Sequence, residues 1–193
     1  MRTPSLKTPL GNDIHLVRND DDATAIWKFI NEKGVICWDT ETEGLSFFDP
    51  IRICQIGNKE QAWVFDPHEH PTIMETILNH PESFDKIVAH NTPFDAIAIG
   101  RQLHRDNSSN LVDFVEKVVA SCIDTQILAH NIDPRPKEEG GSGTSLKPLG
   151  DRYLGTGALD PQKELLEEFR KYGLNNIKIR YWDQTVEFRL FLT

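Results

Sequence analysis

Cysteine is scarce in this chain. Cys37, Cys54 and Cys122 are its only three among 193 residues, far apart in sequence and set among apolar neighbours. Such spacing excludes a disulfide framework and a paired-cysteine zinc site, and predicts buried thiols in a reducing compartment, the cytoplasm. Long apolar runs are missing too. Nothing approaches the roughly 20 residues that a membrane-spanning helix needs, and the first residues show no signal-peptide apolar region. Positive charge is short: 21 Lys and Arg against 30 Asp and Glu leave a net charge of −9. That argues against a broad basic face for non-specific nucleic-acid binding. It leaves room for chemistry on a phosphodiester, where bound metal ions neutralise the phosphate locally. There is no internal repeat. With 38% hydrophobic and 26% charged residues, the composition is that of a single globular domain over 1–193.

Turn and capping signals divide the chain. Residues 1–13 read as a loose arm and Ile14–Arg18 as a short strand. The run Asp20-Asp21-Asp22 offers an N-cap for a helix to about Glu32, closed by Gly34. Val35–Thr40, Ile51–Ile56 and Ala62–Phe65 carry the apolar, β-branched character of strands, with a hairpin at Asn58-Lys59. Pro71–Asn79 predicts a helix with proline in its first turn, and Lys86–Ala89 a further strand. Phe94–Leu103, Leu111–Ala120 and Cys122–Asn131 have helical spacing. The stretch 133–144, DPRPKEEGGSGT, predicts a flexible loop. Helices follow over Ser145–Tyr153 and Asp160–Lys171, then an apolar, aromatic tail, Ile177–Thr193. Three strands followed by alternating strands and helices indicate an α/β fold, a mixed sheet flanked by helices.

The richest stretch is Val35-Ile36-Cys37-Trp38-Asp39-Thr40-Glu41-Thr42-Glu43-Gly44-Leu45. On a strand, alternate side chains share a face, so Asp39 and Glu41 point the same way. Adjacent carboxylates repel, and one would ordinarily keep its proton. A hard divalent cation, Mg²⁺ or Mn²⁺, removes the conflict. With 30 acidic residues in the chain, chance alone supplies about one Asp-x-Glu, so the pair needs a partner. Ala89-His90-Asn91-Thr92-Pro93-Phe94-Asp95 provides one. It places Asp95 in the first turn of a helix, where free N–H groups and the helix dipole would favour ionisation. Three carboxylates at strand ends are what a two-metal phosphodiester site requires.

Asp-Thr-Glu-Thr-x-Gly-Leu followed by Asn-x-x-Phe-Asp resembles the first two motifs of DEDD-type, DnaQ-like 3′–5′ exonucleases of the ribonuclease-H-like superfamily. Ile123-Asp124-Thr125-Gln126-Ile127-Leu128 and Ser145-Leu146-Lys147-Pro148-Leu149-Gly150-Asp151-Arg152-Tyr153-Leu154-Gly155 are similar to later helices of the proofreading domains of family-A DNA polymerases, bacteriophage ones included, and of ribonuclease D. The resemblance covers about 34–155. It implies a ribonuclease-H-like fold and a two-metal Mg²⁺ or Mn²⁺ site. Asp39, Glu41 and Asp95 would be catalytic metal carboxylates, and Thr42, Leu45, Asn91 and Phe94 substrate-binding residues. Asp124 would be either an accessory acid or a plain helix cap. The implied partners are a single-stranded DNA 3′ end, with RNA as the alternative, and a polymerase domain or subunit.

The family's third motif, Tyr-x3-Asp or His-x4-Asp on a late helix, is missing. None of Tyr153, Tyr172 or Tyr181 has Asp four positions on, and no histidine follows His130. The expectation is a chain cut before that motif and weak or inactive as a nuclease, with Asp183 as the remaining accessory acid. A non-catalytic nucleic-acid- or partner-binding module of the same fold, and an RNA-trimming exonuclease of the ribonuclease D type, stay open as alternatives.

Overall fold

A computed structural model describes residues 6–7, 13–31, 34–44, 46, 49–104, 108–141, 143–154, 167 and 170–171. They fall into two compact units, 1–128 and 129–193. Most of the expected loose arm 1–13, most of the helix expected at Asp160–Lys171 and the tail 177–193 lie outside the described residues; within the arm, Leu6–Lys7 is a strand paired with Asp13–Ile14 rather than loose chain.

The first unit is built on a seven-stranded sheet. Its strands are β1 (Leu6–Lys7), β2 (Asp13–Leu16), β3 (Val35–Thr42), β4 (Ile51–Gly57), β5 (Gln61–Phe65), β6 (Lys86–Ala89) and β7 (Cys122–Asp124), in the order β1-β2-β5-β4-β3-β6-β7. β3, β4 and β5 form an antiparallel meander, whereas β2 joins β5, and β6 and β7 extend β3, in parallel. The β4–β5 hairpin turns where the sequence suggests: the Asn58 side-chain oxygen accepts the amides of Glu60 and Gln61 at 2.8 and 3.0 Å, an Asx turn.

The helices are α1 (Asp20–Asn31), α2 (Pro71–Ile73), α3 (Thr92–Leu103), α4 (Ser108–Ser121) and α5 (Thr125–Ile132), the last running on into the second unit. Three local expectations are corrected. The α1 cap is Asn19 rather than the aspartate run: its side-chain oxygen accepts the Asp22 amide at 3.0 Å, and Asp22 in turn accepts the Arg18 amide at 3.0 Å. The single helix expected over Pro71–Asn79 is one α-turn passing into a π-helical turn, Met74–Leu78. Ile73 and Leu78 are both buried, and an α-helix would set residues five apart on different sides of its axis; the wider turn brings them together. Cys122–Asp124 opens as a strand instead of a helix, because the outer edge of β6 needs a hydrogen-bonding partner and tertiary pairing outweighs local preference.

One face of the sheet carries the core. Ile36, Trp38, Ile56, Trp63 and Phe65 pack with Ile26 and Phe29 of α1, Ile99 of α3, and Phe114 and Val118 of α4. At about 25 cal/mol per Å² of apolar surface, each fully buried side chain contributes about 1.5–3 kcal/mol. Helix α3 buries Thr92, Asp95, Ala96, Ile99 and Gly100, the i, i+3, i+4, i+7, i+8 stripe of an amphipathic helix. Its approach to α4 depends on Gly100, where a Cβ would lie 2.7 Å from a Leu111 methyl carbon and 2.8 Å from the Phe114 ring. Gly100→Ala is expected to cost about 1–3 kcal/mol by overpacking, read as a lower urea midpoint at unchanged slope.

Only one of the expected buried thiols is fully buried. Cys54 lies in the core, Cys122 is half-covered and Cys37 is exposed, because it shares the outward face of β3 with Val35 and Asp39. Among the described residues no helix is long and apolar enough to cross a membrane.

In the second unit, the stretch expected to be a flexible loop holds a 3₁₀ turn, Lys137–Glu139, before α6 (Leu146–Leu154). Asp133 accepts from Arg135 at 2.8 and 3.0 Å and from Arg152 of α6 at 3.2 Å. The paired Arg135 guanidinium, with Arg152, holds the Asp133 carboxyl well below the usual carboxylate range.

Candidate active site

Strand β3 alternates exposed and buried residues along its length, so Asp39 and Glu41 stand together on the outward face while Trp38 and Thr40 turn into the core. A β-bulge follows: Glu41 faces Ile53 but Thr42 faces Ile51, leaving Arg52 as the extra residue. Bulges end regular pairing and redirect side chains. Just past the bulge the Glu43 amide donates to Pro50 O at 3.0 Å, and Arg52 pairs with Glu43 at 3.5 Å. Gln55, opposite Asp39 on β4, donates to the Asp39 carboxylate at 3.1 Å.

Lost hydration raises the Asp39 carboxyl above its ordinary pKa, and the neighbouring His90 ring pulls it partly back. Glu41 is raised by the same loss of water and then by the charge of Asp39. Both carboxyls are therefore biased towards the protonated form, Glu41 in part by the charge of Asp39.

Asp95 is the third member. Pairing between β3 and β6 covers only Val35–Cys37 with Lys86–Val88. Beyond that point β6 ends and the chain turns into α3, so Thr40 has no strand on that side. Asp95 takes the place of one: its Oδ1 accepts the Thr40 amide at 2.9 Å and the Thr40 hydroxyl at 2.7 Å. The side chain is only 3% exposed. Burial dominates its titration and, with the charge of Asp39, pushes the carboxyl up to about 6 against the lowering effect of the Thr40 bonds. The helix dipole was expected to favour ionisation of Asp95; Asp95 does lie in the first turn of α3, but on its core-facing stripe, and desolvation there overrides the dipole.

The amides expected for Asp95 go elsewhere. Asp124, at the end of β7, accepts the Asn91 amide at 3.1 Å through Oδ1 and the Thr92 amide at 2.9 Å through Oδ2. It also accepts the Gln126 amide at 2.8 Å at the start of its own helix. Burial would raise the Asp124 carboxyl, but the Gln126, Asn91 and Thr92 amides outweigh it and hold it below the usual range. The neighbouring Thr125 hydroxyl donates to Ala89 O at 3.1 Å and meets His90 Nδ1 at 3.0 Å. The hydroxyl proton being committed to Ala89, Nδ1 is the donor in the second contact.

Helix α3 also anchors the turn after Glu41. Arg101 donates to the carbonyls of Ser46 and Asp49, and the Gln102 side-chain oxygen accepts the Ile51 amide at 3.0 Å. Within the turn Thr42 donates to Gly44 O. One helix thus holds both the third carboxylate and the loop flanking the first two.

Asp39, Glu41, Asp95, Thr42, Asn91, Phe94 and Asp124 all lie in the first unit; Phe94 is part-exposed on α3, and Asn91 begins that helix. Leu45, Asp183 and the tail aromatics Tyr181, Trp182 and Phe188 lie outside the described residues. Among the described residues no three His, Cys, Asp or Glu side chains already form a metal-holding group: the outward pair is separate from Asp95, whose Oδ1 is engaged by Thr40. Thr40 and Gln55, which sequence reasoning passed over, are the residues that hold two of the carboxylates. The strand alternation that turns Thr40 inward was the available signal. The donor set fits a hard divalent cation, since carboxylates whose protonation is favoured by lost water and mutual repulsion are those a cation would restore to the ionised form.

Comparison with known proteins identifies the family and the fold. A family model described as 3′–5′ exonuclease matches residues 14–184, a family of divalent-metal-dependent hydrolases. The chain is 26% identical over 157 residues to a DNA polymerase of Mycobacterium phage L5, covering 79% of this chain and 25% of that protein. It is 27% identical over 164 residues to a DNA polymerase of Mycobacterium phage D29, covering 82% and 26%. The chain thus spans about a quarter of the length of these relatives. The crystal structure of Trypanosoma brucei RNase D superposes with a TM-score of 0.60 at 14% identity, over 93% of this chain and 58% of that one, which establishes a shared ribonuclease-H-like fold.

Proposed function

The chain belongs to the 3′–5′ exonuclease family, and from that premise we propose that it removes nucleotides from DNA 3′ ends by metal-dependent phosphodiester hydrolysis, as the proofreading part of a phage-type DNA polymerase in the host cytoplasm. The observation that carries the reading is the hydrogen bonding of Asp95 to Thr40, the residue that lies between the outward-facing Asp39 and Glu41 in the sequence of β3. Asp39, Glu41 and Asp95 would hold Mg²⁺ or Mn²⁺, which when bound supplies a nucleophilic water and offsets charge on the phosphate. Gln55 fixes Asp39 for that role. Thr40 takes one oxygen of Asp95, so the other, Oδ2, is left to serve a cation directly or through water. Thr42 and Leu45 would contact the terminal nucleotide, with Asn91 and Phe94 lining the second side.

The test uses the 193-residue chain with 5′-labelled single-stranded DNA and the matching RNA, with Mn²⁺, Mg²⁺ or EDTA. The expected result, for a chain in which the third motif is missing, is slow Mn²⁺-dependent shortening by one nucleotide at a time from the 3′ end, on DNA faster than on RNA. Faster trimming of RNA would support the ribonuclease D type of reaction instead. Tight binding of either strand without cleavage, in wild type and with both metals tried, would leave the non-catalytic module. Asp183→Asn in the same assay decides whether Asp183 acts as the fourth carboxylate; unchanged cleavage removes it from the site.

A further inference from the structure

Among the described residues Asn91 is the only one other than glycine with a positive φ, at φ 64° and ψ 50°. A left-handed conformation is unfavourable for a residue bearing a Cβ and persists only where its surroundings hold it. Asn91 stands at the N-cap of α3, yet its own side chain makes no capping hydrogen bond. The acceptor for the first amides of α3 comes from a distant part of the chain: Asp124, bonded to the Asn91 and Thr92 amides. The same carboxylate caps α5 through Gln126. Around it, Thr125 bonds Ala89 and His90, and Thr92 Oγ1 meets Cys122 Sγ at 3.1 Å. The β7–α5 corner is therefore fastened to the β6–α3 corner by five side-chain contacts, two of them from one carboxylate. Asp95 sits one turn beyond this junction, and its contact with Thr40 depends on where α3 starts and how it is rotated.

We propose that Asp124 is the positioning residue for Asp95: by clamping the left-handed Asn91 junction it sets the first turn of α3, and so seats Asp95 on Thr40. The role rests on the function proposed above, but the clamp itself does not. Asp124 touches neither substrate nor metal in this role; it acts through the backbone of Asn91 and Thr92. An ordinary helix cap would stabilise α5 alone. A clamp across two corners must also be felt at Thr40, on a third element.

The Thr40 amide reports the effect directly, because its hydrogen bond ends on Asp95. In the wild-type chain the Thr40 N–H should be protected from exchange. In Asp124→Ala that protection should fall by roughly tenfold or more, and Mn²⁺ affinity by about 10–100-fold, the range found when residues supporting a metal site are removed. In the cleavage assay kcat should fall by a similar factor with KM nearly unchanged. Adding Asn91→Gly, which tolerates positive φ without a Cβ, should restore part of the Thr40 protection in the Asp124→Ala background. Val118→Ala, a core change in α4, serves as the stability control and should leave the Thr40 amide protected relative to its neighbours. If Asp124→Ala does not fold, Asp124→Asn, of nearly the same volume, is read the same way. Thr40 protection unchanged in the Asp124 variant, or lost equally in Val118→Ala, would overturn the proposal. A wild-type chain that neither binds Mn²⁺ nor cleaves would overturn the proposed function, while the Thr40 amide would still decide the role of Asp124.

Discussion

Asp39→Ala is expected to slow Mn²⁺-dependent shortening of single-stranded DNA by roughly a thousandfold or more, since several kcal/mol of transition-state stabilisation from metal chemistry corresponds to that factor. The reasoning is local. Asp39 is the carboxylate on which the others depend: it is held by Gln55 at 3.1 Å, and its charge raises both Glu41 and Asp95. Removing it takes away one proposed ligand and the negative charge that acts on the other two. Calorimetric titration with Mn²⁺ should show the binding heat of the wild-type chain lost in the variant. Gln55→Leu, which keeps Asp39 but removes its orienting donor, should fall between the two proteins. Equal metal binding and equal cleavage by wild type and Asp39→Ala would remove the site from this end of β3. Because Asp39 lies on the outward face, the variant should fold, and its urea midpoint should stay close to wild type.

Asp95→Asn should separate stability from activity in opposite directions. The Asp95 carboxyl is pushed up to about 6 in the folded chain, against an ordinary value near 3.9 when unfolded. Between about pH 4 and about pH 6 the folded state therefore binds more protons than the unfolded state. This group's effect makes the fold most stable below that window and less stable as pH rises through it; at pH 7 the ionised carboxylate costs about 2–3 kcal/mol. Asparagine is neutral and still offers Thr40 an oxygen. Asp95→Asn should raise the midpoint of thermal unfolding at pH 7 by roughly 5–10 °C in the absence of divalent ions. It should also flatten the pH dependence of stability between pH 4 and pH 6 and abolish cleavage. Saturating Mn²⁺ should close much of the stability gap by stabilising wild type alone. A variant less stable than wild type at pH 7 without metal would show that Asp95 is held ionised and satisfied, and that its burial carries no electrostatic cost.

The period of a β-strand is a property of the backbone, so the sequence alone was enough to put Asp39 and Glu41 on one face of β3, and composition and strand order were enough for a mixed α/β sheet. The hairpin at Asn58 and the strand Lys86–Ala89 were legible for the same reason: their signals are local. The helix over Phe94–Leu103 was legible from its apolar spacing; that its buried stripe takes in Thr92 and Asp95 was not, because polar side chains give no apolar signal. What Asp95 would touch there depended on tertiary structure. Only the register of β6 shows that pairing stops at Cys37 and leaves the Thr40 amide without a strand partner, to be met by a carboxylate 55 residues away. The assignment of Cys122–Asp124 as strand, and of Asp124 as an acceptor for two separate helices, likewise depended on the edge β6 presents. Three residues carry too little periodicity to announce themselves, and a hydrogen bond between distant segments leaves no mark in either segment alone.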